Sequence, residues 1–291
     1  MALIEEKKYN NINFITGDKL QLITDLIICL PDNIYNHPWI CAKNNQFLDI
    51  TTINSNFDNP KYIYVYPNCY EIFKDKLQFF NNPFVLVSNN SDTPVDDNIE
   101  CNYIANHPKV IRWFAQNLLL KHPKIEMIPI GFANERWKHG NPTAISNTIK
   151  NLDNIEKTND IYFHFCIHTN FEKRNDCYMK VRDYIRVSDI KMEEDYFDYL
   201  ATFKFALCPV GNGVDTYRLW ECFYFKVIPI VIDNVLIRFI QEKYNFPMII
   251  LNDWTDLLGT TITYDYYDNS ILDVNIIIEE ILNSYDKYIK Q

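Results

Sequence analysis

The segment Phe203–Asn234 constrains the fold of this chain more than any other part of its 291 residues. It reads FKFALCPVGNGVDTYRLWECFYFKVIPIVIDN, so an apolar run, a glycine-bearing loop, an amphipathic stretch and a second apolar run follow one another. Phe203–Cys208 and Val227–Ile232 have the nearly continuous apolar character of strands that are buried on both faces. The segment therefore predicts a strand, a loop, a helix and a second strand, which form one βαβ unit of a parallel sheet.

The loop and the helix start in this unit suit an anionic ligand. Gly211, Asn212 and Gly213 tolerate positive φ in a tight turn. Asp215 or Thr216 can then cap the helix that follows. Because a helix N-terminus presents backbone N–H groups to an anion, we expect these five residues to line a nucleotide site.

Arg218 and Glu221 lie three residues apart on the predicted helix. On spacing alone, they fit an ion pair on a solvated helix face. The alternative is a nucleotide site, in which the guanidinium stabilises the charge of a leaving diphosphate and the carboxylate binds ribose hydroxyls. We favour the nucleotide site because the glycine-bearing loop and two buried strands flank the pair.

The same run resembles the donor-binding signature of exostosin-type glycosyltransferases. The matching residues are Gly211-Asn212-Gly213, Asp215-Thr216, Arg218, Trp220-Glu221 and Ile228-Pro229. The resemblance implies an α/β protein of the GT-B fold, with two Rossmann-like domains whose mainly parallel sheets face each other across a cleft. The chain departs from the signature at Lys226, where the family usually has a glycine before the Ile-Pro strand.

The resemblance also implies an activity, the transfer of a hexosyl or pentosyl group from a nucleotide diphosphate-sugar to a hydroxyl acceptor. We expect a UDP-sugar donor, a glycan or glycoprotein acceptor, inversion at the anomeric carbon and no metal. Two alternatives stay open: a fucosyltransferase-like GT-B enzyme with a GDP-sugar donor, and a catalytically inactive nucleotide- or sugar-binding module. The sequence leaves the donor sugar, the acceptor and the oligomeric state open.

Alternating apolar runs and helical patterns predict the domain organisation. We expect an acceptor-side domain over 1–150, a nucleotide-sugar-binding domain over 151–270, and a C-terminal helix within 271–291 that packs back on the first domain. The polar, Asn-rich stretch Ile145–Asp160 is the best linker candidate. The other predicted elements are strands at Asn13–Thr16, Tyr62–Tyr66, Phe84–Ser88, Met127–Ile130, Ile161–Cys166 and Met248–Leu251, and helices at Pro108–Leu120, Asn175–Tyr184 and Ile271–Ile289.

The loop after Ile161–Cys166 is the second part of the donor site that the resemblance implies, since in GT-B enzymes this loop approaches the phosphates. Thr169, Asn170 and Arg174 offer the hydroxyl, amide and guanidinium groups that bind phosphate oxygens. The alternative is a solvated loop without a ligand.

An inverting transfer needs a carboxylate or a histidine that deprotonates the acceptor hydroxyl. Asp92 is the first candidate because it follows the strand Phe84–Ser88, where a parallel sheet presents residues to a ligand crevice. Asp18 is a second carboxylate after a strand. Glu135 and His139 are alternative bases, in a segment that resembles part of the N-terminal domain of some exostosin-like proteins. The simpler interpretation is that these are turn formers and solvated loop residues.

Composition and missing motifs exclude several classes. The net charge of −10 argues against bulk nucleic acid as the main partner. Eight cysteines without a CxxC pair are typical of buried free thiols in a reducing compartment. The charged N-terminus and the lack of a long apolar stretch predict a soluble cytoplasmic protein without a membrane span. No Asp-X-Asp follows a predicted strand and no histidine cluster occurs, so we expect no metal and no cofactor besides the donor substrate.

Overall fold

The computed structural model describes residues 14–32, 46–265, 267, 269 and 272–290. Contacts divide the chain into two units: the described residues up to Pro129 join those from Asp273 onward, and Ile130–Leu272 forms the second unit. The predicted boundary near residue 150 thus lies inside the second unit. Asn13 and Ile271, which begin two predicted elements, lie outside the described residues.

The first unit is built on a sheet of six described strands, all paired in parallel, in the order β2-β1-β3-β4-β5-β6. The strands are β1 (Leu26–Cys29), β2 (Gln46–Asp49), β3 (Tyr62–Val65), β4 (Phe84–Ser88), β5 (Val110–Ala115) and β6 (Ile125–Met127). The described helices of this unit are α1 (Gly17–Gln21), α2 (Tyr70–Lys76), α3 (Ile99–Asn106) and, from the C-terminus, α9 (Val274–Ile289). Helix α9 packs on β4 and β5, and Leu282 on it accepts a hydrogen bond from the Tyr62 hydroxyl at 2.6 Å.

The predicted helix Pro108–Leu120 is wrong, because this segment contains strand β5. Trp113 and Phe114 are adjacent in sequence and both fully buried, so both faces of the strand are covered. Burial on both faces removes the alternation that marks a strand, and the apolar residues then also match a helical period. The Trp113 indole donates to the Ser88 hydroxyl at 2.7 Å and fixes β5 against β4.

Other elements of the first unit were predicted with mixed success. The predicted strands at Tyr62–Tyr66 and Phe84–Ser88 are confirmed by β3 and β4. The predicted strand Met127–Ile130 overlaps β6 only at Met127. Residues 14–16 form no named strand, and β1 and β2 were not predicted.

The second unit has a sheet of four described strands, again all parallel, in the order β10-β9-β8-β7. The strands are β7 (Asn159–Tyr162), β8 (Phe203–Leu207), β9 (Ile228–Ile232) and β10 (Ile249–Leu251), and the helices are α4 (Pro142–Asn151), α5 (Phe171–Val181), α6 (Glu193–Ala201), α7 (Tyr217–Tyr224) and α8 (Val235–Tyr244). The predicted βαβ unit is confirmed by β8, α7 and β9. The two α/β units confirm the predicted α/β class and its parallel sheets.

The predicted linker Ile145–Asp160 is wrong, since helix α4 and the start of β7 occupy it. The Asn141 side chain caps α4 by accepting hydrogen bonds from two backbone N–H groups of its first turn. Ile145 is fully buried, while the polar and Asn residues of the segment lie largely on the outer side of the helix. An amphipathic helix with a narrow apolar face has the composition of a linker.

The turn between α7 and β9 explains the departure from the signature at Lys226. Lys226 has a φ of 54°, in the left-handed region that favours glycine. Its N–H donates to the Phe223 carbonyl at 3.4 Å, and the Val227 N–H donates to the Cys222 carbonyl at 2.9 Å. These two bonds end the helix as a Schellman motif, in which glycine is the usual left-handed residue. The lysine therefore takes the backbone conformation of the glycine that it replaces.

We expect Lys226→Gly to be more stable than Lys226→Ala. Both variants lose the contact of the Lys226 ammonium with Asp153, 3.6 Å away, so their difference isolates the backbone. A left-handed conformation costs an L-residue about 1–2 kcal/mol, and the flexibility of glycine in the unfolded chain offsets part of that. Urea unfolding should place Gly above Ala by about 1 kcal/mol. Equal stability would mean that the turn carries no strain.

Candidate functional site

The Arg218 side chain lies at the start of α7, next to the carboxyl end of β7. Its Nε donates to the Tyr196 hydroxyl at 2.6 Å, and its Nη1 donates to the His164 carbonyl at 3.1 Å. The guanidinium carbon lies 4.5 Å from the centre of the Tyr162 ring. Three elements therefore fix this cation: the loop after β7, helix α6 and helix α7.

Glu221 completes a buried network with Arg218. Its Oε2 accepts a hydrogen bond from the Tyr196 hydroxyl at 2.6 Å and lies 3.4 Å from Arg218 Nε. The glutamate side chain is 6% exposed and the arginine side chain 21% exposed, so the pair is not on a solvated face. Burial disfavours the charged guanidinium, but Tyr196, Tyr162 and Glu221 outweigh it and hold the pKa of Arg218 above its usual range.

Arg174 supplies a second cation near the first. Its Nε donates to the Val210 carbonyl at 3.0 Å and its Nη1 to the Cys166 carbonyl at 2.9 Å. Burial, and then the charge of Arg218, lower the pKa of Arg174. Two like charges that are close enough to shift a pKa repel each other, so an anion bound between them would be stabilised. A diphosphate between the two guanidinium groups stays a prediction.

Gly211, the first glycine of the loop after β8, leaves room for the Arg174 side chain and does not have a positive φ. Of the glycines in the described residues, Gly131 alone has a positive φ, so the expected positive φ in this loop is wrong. The contact of Gly211, Asn212 and Gly213 with a nucleotide stays a prediction. A Cβ on Gly211 would lie 3.0 Å from Arg174 Nη2. The loop closes through a hydrogen bond from the Gly211 N–H to the Gly213 carbonyl at 3.1 Å.

Asp215 fixes the end of this loop. The residue is 3% exposed, and its two carboxylate oxygens accept from the Ile130 N–H at 2.8 Å and from the Trp220 indole at 2.6 Å. Thr216 occupies the N-cap position of α7, but its side chain makes no capping hydrogen bond. Burial raises the pKa of Asp215 to about 7, although hydrogen bonds from Trp220, Ile130 and Thr216 favour the carboxylate. Asp215 therefore links the end of the loop to Ile130 and Trp220. Its contact with a ligand stays a prediction.

The loop after β7 supports the same corner. Asn170 caps α5, and its Nδ2 donates to the Gly211 carbonyl at 2.8 Å. A hydrogen bond from Thr169 lowers the pKa of the exposed Cys166 thiol. Asn170 and Arg174 thus contact the loop that carries Gly211. The contacts of Thr169, Asn170 and Arg174 with phosphate stay predictions.

The four candidate bases are divided between the two units. Asp92 is exposed in the loop after β4, and Asp18 on α1 accepts a hydrogen bond from Asn90 Nδ2 at 3.3 Å. Glu135 and His139 are exposed and belong to the second unit, although their segment was expected in the first domain. The His139 ring lies 5.7 Å from that of Tyr217, the first residue of α7. The structure does not choose among these four, and the base stays a prediction.

Sequence reasoning missed Tyr196, which joins Arg218 to Glu221. Its only signal is the apolar spacing of Phe197 and Leu200 on α6, a helix that was not predicted. The phenol lies 22 and 25 positions from its two partners in sequence, so no local pattern links the three residues.

Several other properties of the described residues bear on the site. No three His, Cys, Asp or Glu side chains in this part of the chain group together as metal ligands would. Seven cysteines are free thiols there, and only Cys166 is exposed; Cys41 lies outside the described residues. None of the helices in the described part of the chain is long and apolar enough to cross a membrane.

One comparison with known proteins, the match to a family model, agrees with the signature. Residues 157–266 match the family model of the RXYLT1 C-terminal domain, a stretch that includes the second sheet and both arginines. This match covers less than half of the chain, and it supports a glycosyltransferase-like domain in the second unit. Among solved structures, the chain is similar to the crystal structure of the GtfA/B complex, with 14% identity and a TM-score of 0.33 over 78% of this chain and 50% of that one. The chain thus spans half the length of that relative, and no curated protein matches its sequence.

We expect Asp215 to make stability depend on pH. Its pKa rises from 3.8 in the unfolded chain to about 7 in the folded protein, so the folded state binds the extra proton between these values. The free energy of unfolding should therefore fall as the pH rises from about 4 to about 7, and then level off. Asp215→Asn removes this titration. Urea unfolding of both proteins across the range checks it, since the stability of the wild type relative to the variant should fall with pH. A rising difference would mean that the carboxylate is favoured in the folded state.

Proposed function

We propose that this chain is a glycosyltransferase that moves a sugar from a nucleotide diphosphate-sugar to a hydroxyl group of a glycan or glycoprotein. The observation that carries the proposal is the pair of half-buried guanidinium groups, Arg174 and Arg218, at the carboxyl ends of β7 and β8. Ligands of open parallel sheets bind outside these strand ends. The match to the RXYLT1 C-terminal domain covers this part of the chain and supports the same activity.

The guanidinium pair would supply the main catalytic stabilisation. Breaking the bond between the sugar and the diphosphate places negative charge on the leaving phosphate oxygen. A fixed cation that is already desolvated stabilises that charge without reorganising at the moment of reaction. Arg218 meets this condition, because Tyr196, Glu221 and the His164 carbonyl hold it. In this mechanism the arginines stabilise the charge of the leaving diphosphate, as a bridging metal ion does in other transferases. Inversion at the anomeric carbon of the sugar is also part of the proposal.

Glu221 has two roles in the proposal. It binds a ribose hydroxyl of the donor, as the signature implies, and it orients Arg218 through the Tyr196 hydroxyl. We favour UDP as the nucleotide. Because the matched family model is xylosyltransferase-like, UDP-xylose is the first donor to test, followed by UDP-glucose and GDP-sugars. Binding without turnover on any acceptor would favour the inactive-module alternative.

We expect Arg218→Gln to weaken UDP binding about tenfold or more, because a charge-assisted hydrogen bond to phosphate is lost. Tyr196→Phe should cause a smaller loss, since the cation remains but one of its anchors is gone. Arg182→Gln is the matched control, because Arg182 is exposed at the far end of α5. Titration calorimetry measures all three affinities. Equal affinity of the wild type and Arg218→Gln would remove this residue from the site.

We expect Asp92→Asn to lower kcat by about 10² or more while leaving UDP affinity nearly unchanged. The amide keeps the size of the carboxylate but cannot take the acceptor proton. Glu135→Gln and His139→Ala are the parallel variants, and steady-state rates with UDP-xylose compare all three. Near wild-type turnover in Asp92→Asn, together with inactivity of either parallel variant, would place the base in the segment 135–139.

A further inference from the structure

A cavity of about 420 Å³ lies inside the second unit, at the carboxyl ends of β8, β9 and β10. Its volume falls in the range of roughly 300–1,000 Å³ that is typical of small-ligand pockets. The walls come from the loop after β8, the start of α8 and the loop after β10. Its lining includes Val210, Thr216, Asp233, Asp253 and Trp254.

The cavity shares a wall with the arginine site. Val210, which lines the cavity, is also the residue whose carbonyl accepts the hydrogen bond from Arg174 Nε. Thr216 lines the cavity as well. A Cβ on Gly211 would lie 3.0 Å from Arg174 Nη2 and 3.6 Å from Thr216 Cγ2, so Gly211 is next to both residues. If the phosphates of a ligand contact Arg174, the rest of that ligand can therefore extend into the adjacent cavity.

The inner surface of the cavity is apolar, and charged side chains of both signs line it as well. Leu219, Val231 and Trp254 are each at most 3% exposed and contribute apolar surface. Asp233 and Asp253 stand at the rim. The apolar part suits the C–H face of a sugar ring, and the carboxylates suit its hydroxyl groups.

Both rim carboxylates are held in their ionised form. Hydrogen bonds from the Arg238 guanidinium lower the pKa of Asp233. Hydrogen bonds from Lys180, at 2.6 Å, and from Thr255 hold the pKa of Asp253 well below its usual range. Ionised carboxylates accept hydrogen bonds from hydroxyl groups, and each carboxylate here is paired with a cation, Arg238 or Lys180.

We propose that this cavity holds the sugar of the nucleotide-sugar donor, with hydroxyl groups bonded to Asp233 and Asp253 and the apolar face of the ring against Leu219 and Trp254. A sugar carries a hydroxyl on most of its ring carbons, whereas the donors of a nucleobase lie along one edge. Two separate carboxylates therefore match the sugar better. The inference rests on the proposed function and adds the residues that select the transferred group.

The test compares UDP with UDP-xylose and UDP-glucose by titration calorimetry on the whole chain. The wild type should bind at least one UDP-sugar more tightly than UDP. Asp233→Asn should weaken the binding of that sugar nucleotide about tenfold and leave UDP unchanged, because only the sugar contacts the rim. Asp160→Asn is the matched control, since Asp160 pairs with Lys204 and lies at the start of β7, at the opposite end of the sheet.

A second variant keeps the test independent of one carboxylate. Val214→Phe adds volume at a half-buried residue of the cavity lining and should cause the same selective loss. Thermal unfolding of each variant verifies that it is folded.

Two outcomes separate the inference from the function on which it rests. If Asp233→Asn and Val214→Phe bind both UDP-sugars as the wild type does, or lose UDP equally, the cavity does not hold the sugar, while the arginine site stands. If the wild type binds none of UDP, GDP, dTDP and their sugars, the proposed function fails and the sugar pocket fails with it.

Discussion

The parallel direction of every described strand pair is the constraint on which the candidate site depends. Parallel pairing places the carboxyl ends of β7, β8, β9 and β10 along one edge, so residues from 164 to 254 can meet there. The arginines follow or flank β7 and β8, whereas Asp233 and Asp253 follow β9 and β10. The edge therefore presents guanidinium groups near β7 and β8 and carboxylate hydrogen-bond acceptors, each paired with a cation, after β9 and β10. A nucleotide sugar carries groups that match these two parts, a charged diphosphate next to a neutral group rich in hydroxyls.

The accuracy of the sequence prediction depended on how local the determining contacts are. Phe203–Asn234 was predicted almost residue by residue, because two buried strands, a loop and an amphipathic helix follow one another within a short stretch. Pro108–Leu120 was assigned the wrong secondary structure, since the neighbours of β5 on both faces come from distant parts of the chain. Arg218 and Glu221 could be found from spacing and signature. Tyr196, which fixes both, could not.

The roles of the small and acidic loop residues also depended on distant partners. The sequence indicated that Gly211 serves the backbone, whereas the structure shows that its missing side chain makes room for Arg174. Asp215 was a candidate helix cap and instead accepts hydrogen bonds from Ile130 and Trp220. In both cases the residue type was informative and the physical reason was not visible locally.

The left-handed Lys226 has a consequence for how such chains are found. Hydrogen bonds at the end of α7 impose the conformation there, and a lysine adopts it. Glycine is then a preference of this turn rather than a chemical requirement of catalysis. A search pattern that requires glycine at this position would discard chains in which another residue takes the same conformation. A pattern written in backbone states, left-handed at this one position and helical before it, would retain them.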